Sequence, residues 1–174
     1  MTARFEPIMQ NGYVVRDLER AARHWTQVVG VGPFYLLEHI DFGEVLFRGK
    51  PTQIDLSVAV AYWGDMQVEL ICQHDDSPSI YTEFARAKGE GLQHVGVMTD
   101  SIPDHLQRLK AAGVEPVQWG ATANGIRFAY LGTDEHPGGM IELIERGPVI
   151  EGFFKMVRAA AQGWDGRDPI RRPR

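Results

Sequence analysis

Four residues with side chains able to bind a metal ion stand at matching places in two similar segments of the chain. Gln10 and His94 each begin a stretch in which a glycine follows two positions later, within a short apolar run. Glu69 and Glu142 each lie in the middle of the apolar segment that closes its copy. Carboxylate and amide oxygens together with an imidazole nitrogen suit a divalent ion. The repeat therefore predicts one mixed oxygen and nitrogen metal site that draws on both copies.

The two glutamates carry most of this prediction, because a carboxylate in the middle of an apolar strand is costly to bury unless it is paired or bound to a metal. Alternate strand residues share a face, so Glu69 and Glu142 are expected opposite their strictly apolar neighbours. Taken singly, either glutamate can instead form a salt bridge with Arg127 or Arg146, and the glutamine and the histidine can be ordinary polar core residues. The four residues at matched places favour metal binding over a metal-free relic of such a site.

Hydrophobic periodicity and turn residues predict the elements that position these side chains. In each copy a strand comes first, a helix follows, and three more strands close the copy, so each copy is expected to be a β-α-β-β-β module. Asp17 is expected to cap the first helix, and Gly30 and Gly113 to end the two helices. The predicted strands are 8–15, 34–40, 54–63, the segment around Glu69, 92–98, 114–119, 125–131 and 140–145. Further helices are predicted at 82–88 and 103–112.

At 174 residues the chain is long enough for one well-buried core, or for two small modules that share one. We therefore expect a single α+β domain over 1–174, with module 1 at about 8–73 and module 2 at about 92–147. A C-terminal helix and tail are expected over 148–174. Because the first copy is longer between its marked residues, an insertion is expected within module 1.

Two segments lie outside the repeat. Residues 41–52 combine glycines and a proline with polar residues, which predicts an extended or hairpin-like insertion outside the regular core. Residues 150–161 are predicted to form a helix whose apolar side packs on the domain or on a second subunit. The arginine-rich segment from Asp165 onward is expected to be a poorly ordered, solvated tail.

Composition excludes several classes of function. The net charge of −5 gives no reason to expect nucleic acid as a partner. No apolar run approaches the ~20 residues that span a bilayer, and the N-terminal segment lacks the pattern of a secretion signal, so the cytoplasm is expected. Cys72 is the single cysteine, which excludes an intrachain disulfide.

Several further residues are weighed as minor candidates. His39 and His74, at a strand end and in a loop, can contact a substrate but are expected to have a surface role. His105 is expected to face solvent from its helix. His136 lies in a turn before the strand of the second glutamate, where it can reach the mouth of a pocket. Tyr130 is interpreted as a core aromatic, although strand parity allows it to face the pocket.

The repeat, the four marked positions and the stretch Tyr-Val-Val-Arg-Asp-Leu at 13–18 resemble the vicinal oxygen chelate superfamily. That superfamily includes glyoxalase I, methylmalonyl-CoA epimerase, extradiol dioxygenases and bleomycin-resistance proteins. The resemblance implies two tandem β-α-β-β-β modules that form a curved mixed sheet around a metal-binding pocket. It also implies that the first and last strands of each module supply the metal ligands, which fall here on Gln10, Glu69, His94 and Glu142.

The ligand types help to choose among the chemistries of the superfamily. Enzymes of the glyoxalase I type can use Gln, Glu, His and Glu in this order, which matches all four positions. Epimerases usually carry His, Gln, His and Glu, a pattern from which Gln10 and Glu69 depart. Extradiol dioxygenases need two histidines and a carboxylate for ferrous iron, and Gln10 stands where one of those histidines would be. Bleomycin-resistance proteins typically lack the whole set.

The resemblance implies a lyase or isomerase of the glyoxalase I type, acting on a small carbonyl or thioester substrate. One divalent ion per site, Zn, Ni, Co or Mn, would polarise a substrate oxygen, while Glu142, or else Glu69, moves a proton on the adjacent carbon. A homodimer is expected, because dimers are common in the family. Two alternatives stay open: an acyl-CoA epimerase of the methylmalonyl-CoA type, and a metal-free small-molecule binding or resistance protein.

Overall fold

The computed structural model of the chain describes residues 5–132 and 139–173. Within them the strands are β1 (Gln10–Val14), β2 (Phe34–Leu37), β3 (Phe42–Phe47), β4 (Lys50–Pro51), β5 (Leu56–Trp63), β6 (Met66–Gln73), β7 (Gly91–Thr99), β8 (Pro116–Thr122), β9 (Arg127–Leu131), β10 (Met140–Glu145) and β11 (Ile170–Arg171). The helices are α1 (Leu18–His24), α2 (Ile80–Lys88), α3 (Ile102–Lys110) and α4 (Pro148–Ala161). A π-helical turn, Trp25–Val29, continues α1 and ends at Gly30, whose φ of 79° only glycine adopts easily.

The described strands join one sheet in the order β11-β2-β5-β6-β1-β7-β10-β9-β8-β3-β4. At its centre β1 and β7 run antiparallel, and these two strands carry Gln10 and His94. β6 lies parallel to β1, and β10 lies parallel to β7, so each copy places its last strand beside its first. The two halves of the sheet, β2-β5-β6-β1 and β7-β10-β9-β8, therefore follow the same order outward from the centre. The protein has the expected α+β fold around a curved mixed sheet.

Helices α1 and α3 cover one face of the sheet. Asp17 caps α1 by accepting a hydrogen bond from the backbone N–H of Arg20 at 2.9 Å, as its sequence position predicts. Helix α1 packs on β5 and β6, where it buries Leu18 against Val68 and Leu70. Helix α3 packs in the same way on β9 and β10. The opposite face, which carries the marked glutamates, is left for α4 to cover.

Helix α4 packs on the domain, the first of its two expected positions. Its Val157 is fully buried in a cluster with Val58 and Val60 of β5. Farther toward its start, Ile150 packs with Met98 and Ile144. No helix in the described ranges is both long and apolar enough to cross a membrane.

The 41–52 insertion forms the expected hairpin-like structure but is not outside the core. β3 pairs with β4 and also with β8, at the far edge of the second half of the sheet. Val45 and Phe47 alternate inward from β3 and are buried, Val45 to 3% exposure. The polar residues and glycines around these two side chains hide the alternation in the sequence. The pairing with β8 is also not visible there, because that strand lies far along the chain.

The C-terminal segment differs from the expected poorly ordered tail over its described part. Ile170 pairs with Phe34 as β11 adds to the outer edge of β2. The guanidinium of Arg172 donates to the carboxylate of Glu38 at 2.6 Å. The composition of the segment indicates solvation, but its order comes from partners in the first half of the sheet, which local composition does not reveal.

Candidate metal centre

Two glycines at the centre of the sheet explain why each copy carries a glycine two positions after its candidate ligand. The strand register pairs Gln10 with Gly96 and Gly12 with His94. A Cβ added at Gly12 would lie 2.0 Å from the His94 ring, and one at Gly96 would lie 2.5 Å from Gln10 Oε1. Each glycine thus leaves the space that the candidate ligand of the other copy occupies.

The two glutamates flank the same glycines from the outer side. Glu69 of β6 lies beside Gly12 in the register, and Glu142 of β10 lies beside Gly96. His94 Nε2 is 3.2 Å from Glu142 Oε2 and 3.6 Å from Glu69 Oε2. Single ligand atoms from these three residues all lie within 4.8 Å of one another. His94 is 1% exposed and Glu142 6% exposed, so the cluster is buried.

Two buried atoms in this cluster have no hydrogen-bond partner, Gln10 Oε1 and His94 Nε2. The Gln10 amide nitrogen donates to Gln67 Oε1 at 2.5 Å, which leaves its oxygen free. His94 Nδ1 lies 2.7 Å from Gln93 Oε1, which can only accept, so Nδ1 keeps its hydrogen and Nε2, once deprotonated, can offer its lone pair. A second hydrogen bond of this kind is the usual support of a metal-bound histidine. The donor set and its unpartnered atoms therefore fit a divalent ion.

The charged groups of the cluster lie close enough to influence one another. Burial alone would lower the pKa of His94, but Glu142 and then Glu69 outweigh it and raise that pKa to about 9. The pKa of Glu69 is raised, chiefly by burial, while His94 opposes the rise and the charge of Glu142 adds to it. Without a metal, a proton on His94 offsets part of the charge of the two carboxylates. A divalent ion would have to displace that proton.

Two buried tyrosines adjoin the cluster. Tyr130 of β9 lies opposite Glu142 in the register, and its ring centroid is 5.1 Å from that of His94. Tyr81 of α2 donates its hydroxyl hydrogen to the Tyr130 oxygen at 2.8 Å. Burial, followed by the charge of Glu142, raises the pKa of both tyrosines well above the usual value, so both stay neutral. Tyr130 therefore keeps a hydroxyl hydrogen to donate.

Sequence reasoning allowed Tyr130 to face the pocket, and the side chain does line it. Tyr81 was missed, because the helix predicted at 82–88 leaves it just outside. The signal was present in Ser79, which caps α2 and accepts hydrogen bonds from the N–H groups of Tyr81 and Thr82. A cap at that position puts Tyr81 in the first turn of α2, beside the centre of the sheet.

A cavity of about 460 Å³ adjoins the cluster. Its polar wall residues are Gln10, Glu69, Tyr81, Thr122, Asn124, Tyr130 and Glu142. The remaining walls are apolar side chains from β2, β3, β5, β6, β9, β10, α4 and the C-terminal segment. The cavity therefore combines a small acidic patch with a large hydrocarbon surface.

The salt-bridge alternative for the glutamates is wrong in the described part of the chain. Arg127 pairs with Glu145 at 3.3 Å, and Arg146 pairs with Asp100 at 3.1 Å and with Glu6. Among the described residues, the ion pairs of both arginines go to other carboxylates and not to Glu69 or Glu142.

The minor histidine candidates do not join the cavity. His39 Nδ1 lies 2.6 Å from Asp55, and the ring centroids of His39 and His74 are 4.9 Å apart, so these three residues form a separate, more exposed group of possible ligands. His105 is buried rather than solvent-facing, since its ring packs on Phe5. His136 lies outside the described residues.

Residues 9–130 match the model of the Glyoxalase/Bleomycin resistance protein/Dioxygenase superfamily, so the chain belongs to that superfamily. The resemblance inferred from the repeat is thereby confirmed. No curated protein matches the sequence significantly.

Several solved structures share the fold. A hypothetical protein from Bacillus halodurans has a TM-score of 0.60 at 20% identity, covering 81% of this chain and 94% of that chain. Methylmalonyl-CoA epimerase from Mycobacterium tuberculosis has a TM-score of 0.59 at 20% identity, covering 85% and 93%. A Streptomyces coelicolor methylmalonyl-CoA epimerase variant in complex with 2-nitronate-propionyl-CoA has a TM-score of 0.57 at 15% identity, covering 84% and 98%. At these identities the likeness shows the fold alone.

Proposed function

We propose that the chain is a divalent-metal-dependent lyase or isomerase of the glyoxalase I type, which moves a proton at a carbon next to a carbonyl group. The observation that carries this proposal is the convergence of Glu69, His94 and Glu142 within 4.8 Å of one another beside the unpartnered oxygen of Gln10. Membership of the superfamily supports it, although a shared fold does not fix a reaction.

Gln10, Glu69, His94 and Glu142 would hold the ion. When bound, the ion would polarise a substrate oxygen and so make the adjacent carbon-bound hydrogen more acidic. Zn, Ni, Co and Mn all accept this combination of oxygen and nitrogen donors. The two carboxylates would balance the double positive charge, since the glutamine and a deprotonated histidine are neutral.

The two glutamates would handle the proton. Both line the cavity, where burial removes the water that would otherwise weaken them as bases. Glu142 is the first choice for the base that takes the proton, because it lies opposite Tyr130 in the register. Glu69, on the other side of His94, can return a proton to the substrate or take it instead. A pair of carboxylates contributed by the two copies thus suits a proton transfer between neighbouring carbons.

Tyr130 would support this step as a hydrogen-bond donor. Its own oxygen already accepts the Tyr81 hydrogen, so its remaining hydrogen can be directed at a substrate oxygen on which negative charge develops. Because both hydroxyls stay neutral, neither competes with the glutamates for the substrate proton.

The first experiment measures metal content per chain by mass spectrometry on protein purified without chelator. We expect about one tightly held ion, lost in Gln10→Ala, His94→Ala and Glu142→Ala variants. The His39→Ala, His74→Ala double variant is the matched control, because it removes the exposed histidine group and leaves the buried cluster intact. No retained ion after incubation with Zn, Ni, Co and Mn would refute the proposal.

The second experiment tests proton movement directly. The metal-loaded chain is incubated in deuterated water with hemithioacetals of 2-oxoaldehydes, and deuterium at the carbon next to the carbonyl is followed by NMR. Conversion or deuterium exchange that depends on the ion supports the proposal. A chain that holds no metal yet binds small molecules would be the metal-free binding protein.

The expected homodimer remains a separate proposal. Light scattering on the purified chain, over a range of concentrations, measures it directly. A mass of one chain at all concentrations would reject it.

A further inference from the structure

The walls of the cavity indicate what part of a substrate it can hold. A volume of about 460 Å³ lies within the ~300–1,000 Å³ range of small-molecule sites. Phe42 and Phe128 meet edge to face at 6.0 Å on one side, while Phe153 and Phe154 of α4 face the same space. Apolar walls of this kind stabilise a bound molecule only by burying its hydrocarbon surface. The body of the substrate must therefore be apolar.

The same walls offer no positive charge. None of the described wall residues is a lysine, an arginine or a histidine. On the surrounding elements, Arg127 pairs with Glu145, Arg158 with Asp65 and Arg172 with Glu38. Arg171 donates to the backbone oxygen of Asp168, and Lys155 is exposed on α4. An anionic group inside the cavity would meet two glutamates and would find no lysine, arginine or histidine among the described wall residues, which is costly in an apolar enclosure. The His94 ring does not offset this, because its Nε2 already faces the carboxylates of Glu142 and Glu69 at 3.2 and 3.6 Å.

A bound ion would not supply the missing charge. The carboxylates of Glu69 and Glu142 would cancel its double positive charge, so the loaded centre would be neutral overall. A set with one carboxylate, such as His, Gln, His and Glu, would leave one positive charge to hold a substrate carboxylate. Glu69 would thus decide the net charge of the centre.

We infer that the substrate is an uncharged, largely hydrocarbon ketone or aldehyde, and that carboxylates and acyl-CoA thioesters of the methylmalonyl type are excluded from this cavity. This inference rests on the proposed function, which it narrows to one substrate class. It distinguishes the chain from the epimerases that share its fold, and it selects the compounds for a substrate screen.

The test compares two ligands that differ chiefly in charge. The neutral fluorophore 1-aminoanthracene is bound in the cavity of the full chain and then displaced by 1-phenylpropane-1,2-dione or by phenylpyruvate. Both compounds carry one ring and two adjacent carbonyl oxygens, and only phenylpyruvate carries a carboxylate. We expect the dione to displace the fluorophore at a concentration roughly tenfold lower or less, both with Zn and after chelation. Equal or tighter displacement by phenylpyruvate or methylmalonyl-CoA would overturn the inference.

A variant with an added cation checks that charge is the cause. Ile40 is a half-buried wall residue between β2 and β3, where a lysine can keep its stem in the cavity. Ile40→Lys is expected to reduce the preference for the dione by roughly tenfold, whereas Ile40→Met, which has a similar length and no charge, leaves it unchanged. If the lysine variant kept the full preference for the dione, the absence of a cation would not be its cause.

The failure of this inference and the failure of the proposed function give different results. A chain that prefers the dione but retains no ion has the inferred ligand class without the proposed chemistry. A chain that retains one ion and exchanges the proton of an acyl-CoA has the proposed chemistry without the inferred substrate class.

Discussion

The two halves of the sheet place chemically similar groups at equivalent positions but surround them differently. Each half supplies a candidate ligand on its first strand, a glycine two residues later and a glutamate on its last strand. The cavity walls do not repeat, because β5 and β6 contribute aliphatic side chains while β9 contributes Phe128 and Tyr130. The candidate metal centre thus follows the repeat, and the surface that meets a substrate follows the departures from it.

The candidate ligands on the first strands are also supported differently. Gln10 is held by Gln67, which in turn donates to the Tyr62 hydroxyl at 3.1 Å, so its support comes from its own half of the sheet. His94 is held by Gln93, its immediate neighbour in the chain. The first half therefore fixes its ligand through a longer series of side chains. A substitution farther from the candidate metal centre, as at Tyr62, should then still affect the position of Gln10.

The largest expected effect compares the two glutamates as bases. Glu142→Gln should lower kcat by roughly 10²–10⁴-fold, since the amide cannot take the substrate proton. Glu69→Gln should cost less, because Tyr130 lies opposite Glu142 and not opposite Glu69. Steady-state kinetics on variants with measured metal content checks this order. Equal losses would mean that the two halves share the proton transfer evenly, and the proposed asymmetry would be wrong.

The central glycines provide the next test. Gly12→Ala should lower the free energy of unfolding by about 2–3 kcal/mol and disturb metal binding, because its Cβ would overlap the His94 ring. Gly96→Ala should cost less, about 1–2 kcal/mol, since its nearest contact, Gln10 Oε1, can move more easily than the His94 ring, although Gln10 Cβ also lies 3.0 Å away. Urea denaturation measures both, with Gly43→Ala as control because its Cβ finds only ordinary contacts. A larger cost at Gly96 would contradict the expected order.

The next comparison is between β3 of the insertion and β11 of the C-terminal segment, which both pair with strands from distant parts of the chain. Val45→Ala in β3 should lower the free energy of unfolding by about 2 kcal/mol, because the side chain is buried in the main core cluster. Ile170→Ala in β11 should cost about 1 kcal/mol, because that side chain is half-buried at the edge of β2. Urea denaturation of the two variants measures both losses of stability. An unchanged midpoint for Ile170→Ala would show that β11 adds nothing to stability.

The tyrosine pair has no counterpart in the first half of the sheet. Tyr130→Phe should lower kcat by roughly tenfold with the metal retained, since it removes one hydrogen bond to a developing charge. Tyr81→Phe should lower it less, because Tyr81 only orients the Tyr130 hydroxyl. If both changes altered KM alone, Tyr130 would be a binding residue and not a participant in the step.

The smallest effect concerns His105 of α3, which occupies the position where α1 has Ala21. Burial, followed by the charge of Arg108, lowers the pKa of His105, so the unfolded chain binds this proton more readily. The contribution of His105 to the free energy of unfolding should therefore be fully present above the unfolded pKa of about 6.5. It should be lost as the pH falls toward the lower pKa of the folded state. Asp104 and Glu6 line the same small surface pocket as His105.

Urea midpoints between pH 7.5 and about 5 measure this dependence. His105→Gln should flatten the curve slightly, whereas His24→Gln, at an exposed position at the end of α1, should leave it unchanged. A steeper fall in the His105→Gln variant would reverse the expected sign.

The sequence predicted the parts of the fold that depend on periodicity and repetition. The strands of Gln10, Glu69, His94 and Glu142 and the helix after Asp17 could be found because their signals lie within a few residues. The positions of β3 and β11 near the two ends of the sheet could not be predicted, because their partner strands lie in distant segments. His105 was misplaced because the spacing within a helix does not show what Phe5 covers.

The outer edges of the sheet also restrict how copies of the chain can associate. At one end β4 consists of Lys50 and Pro51, both exposed, and the proline has no N–H to offer another strand. At the other end β11 has only two residues, one of them an arginine. Such short, charged or proline-bearing margins resist polymerisation by strand addition. We therefore expect a homodimer of this chain to associate through its side-chain surfaces and not by extending the sheet into its neighbour.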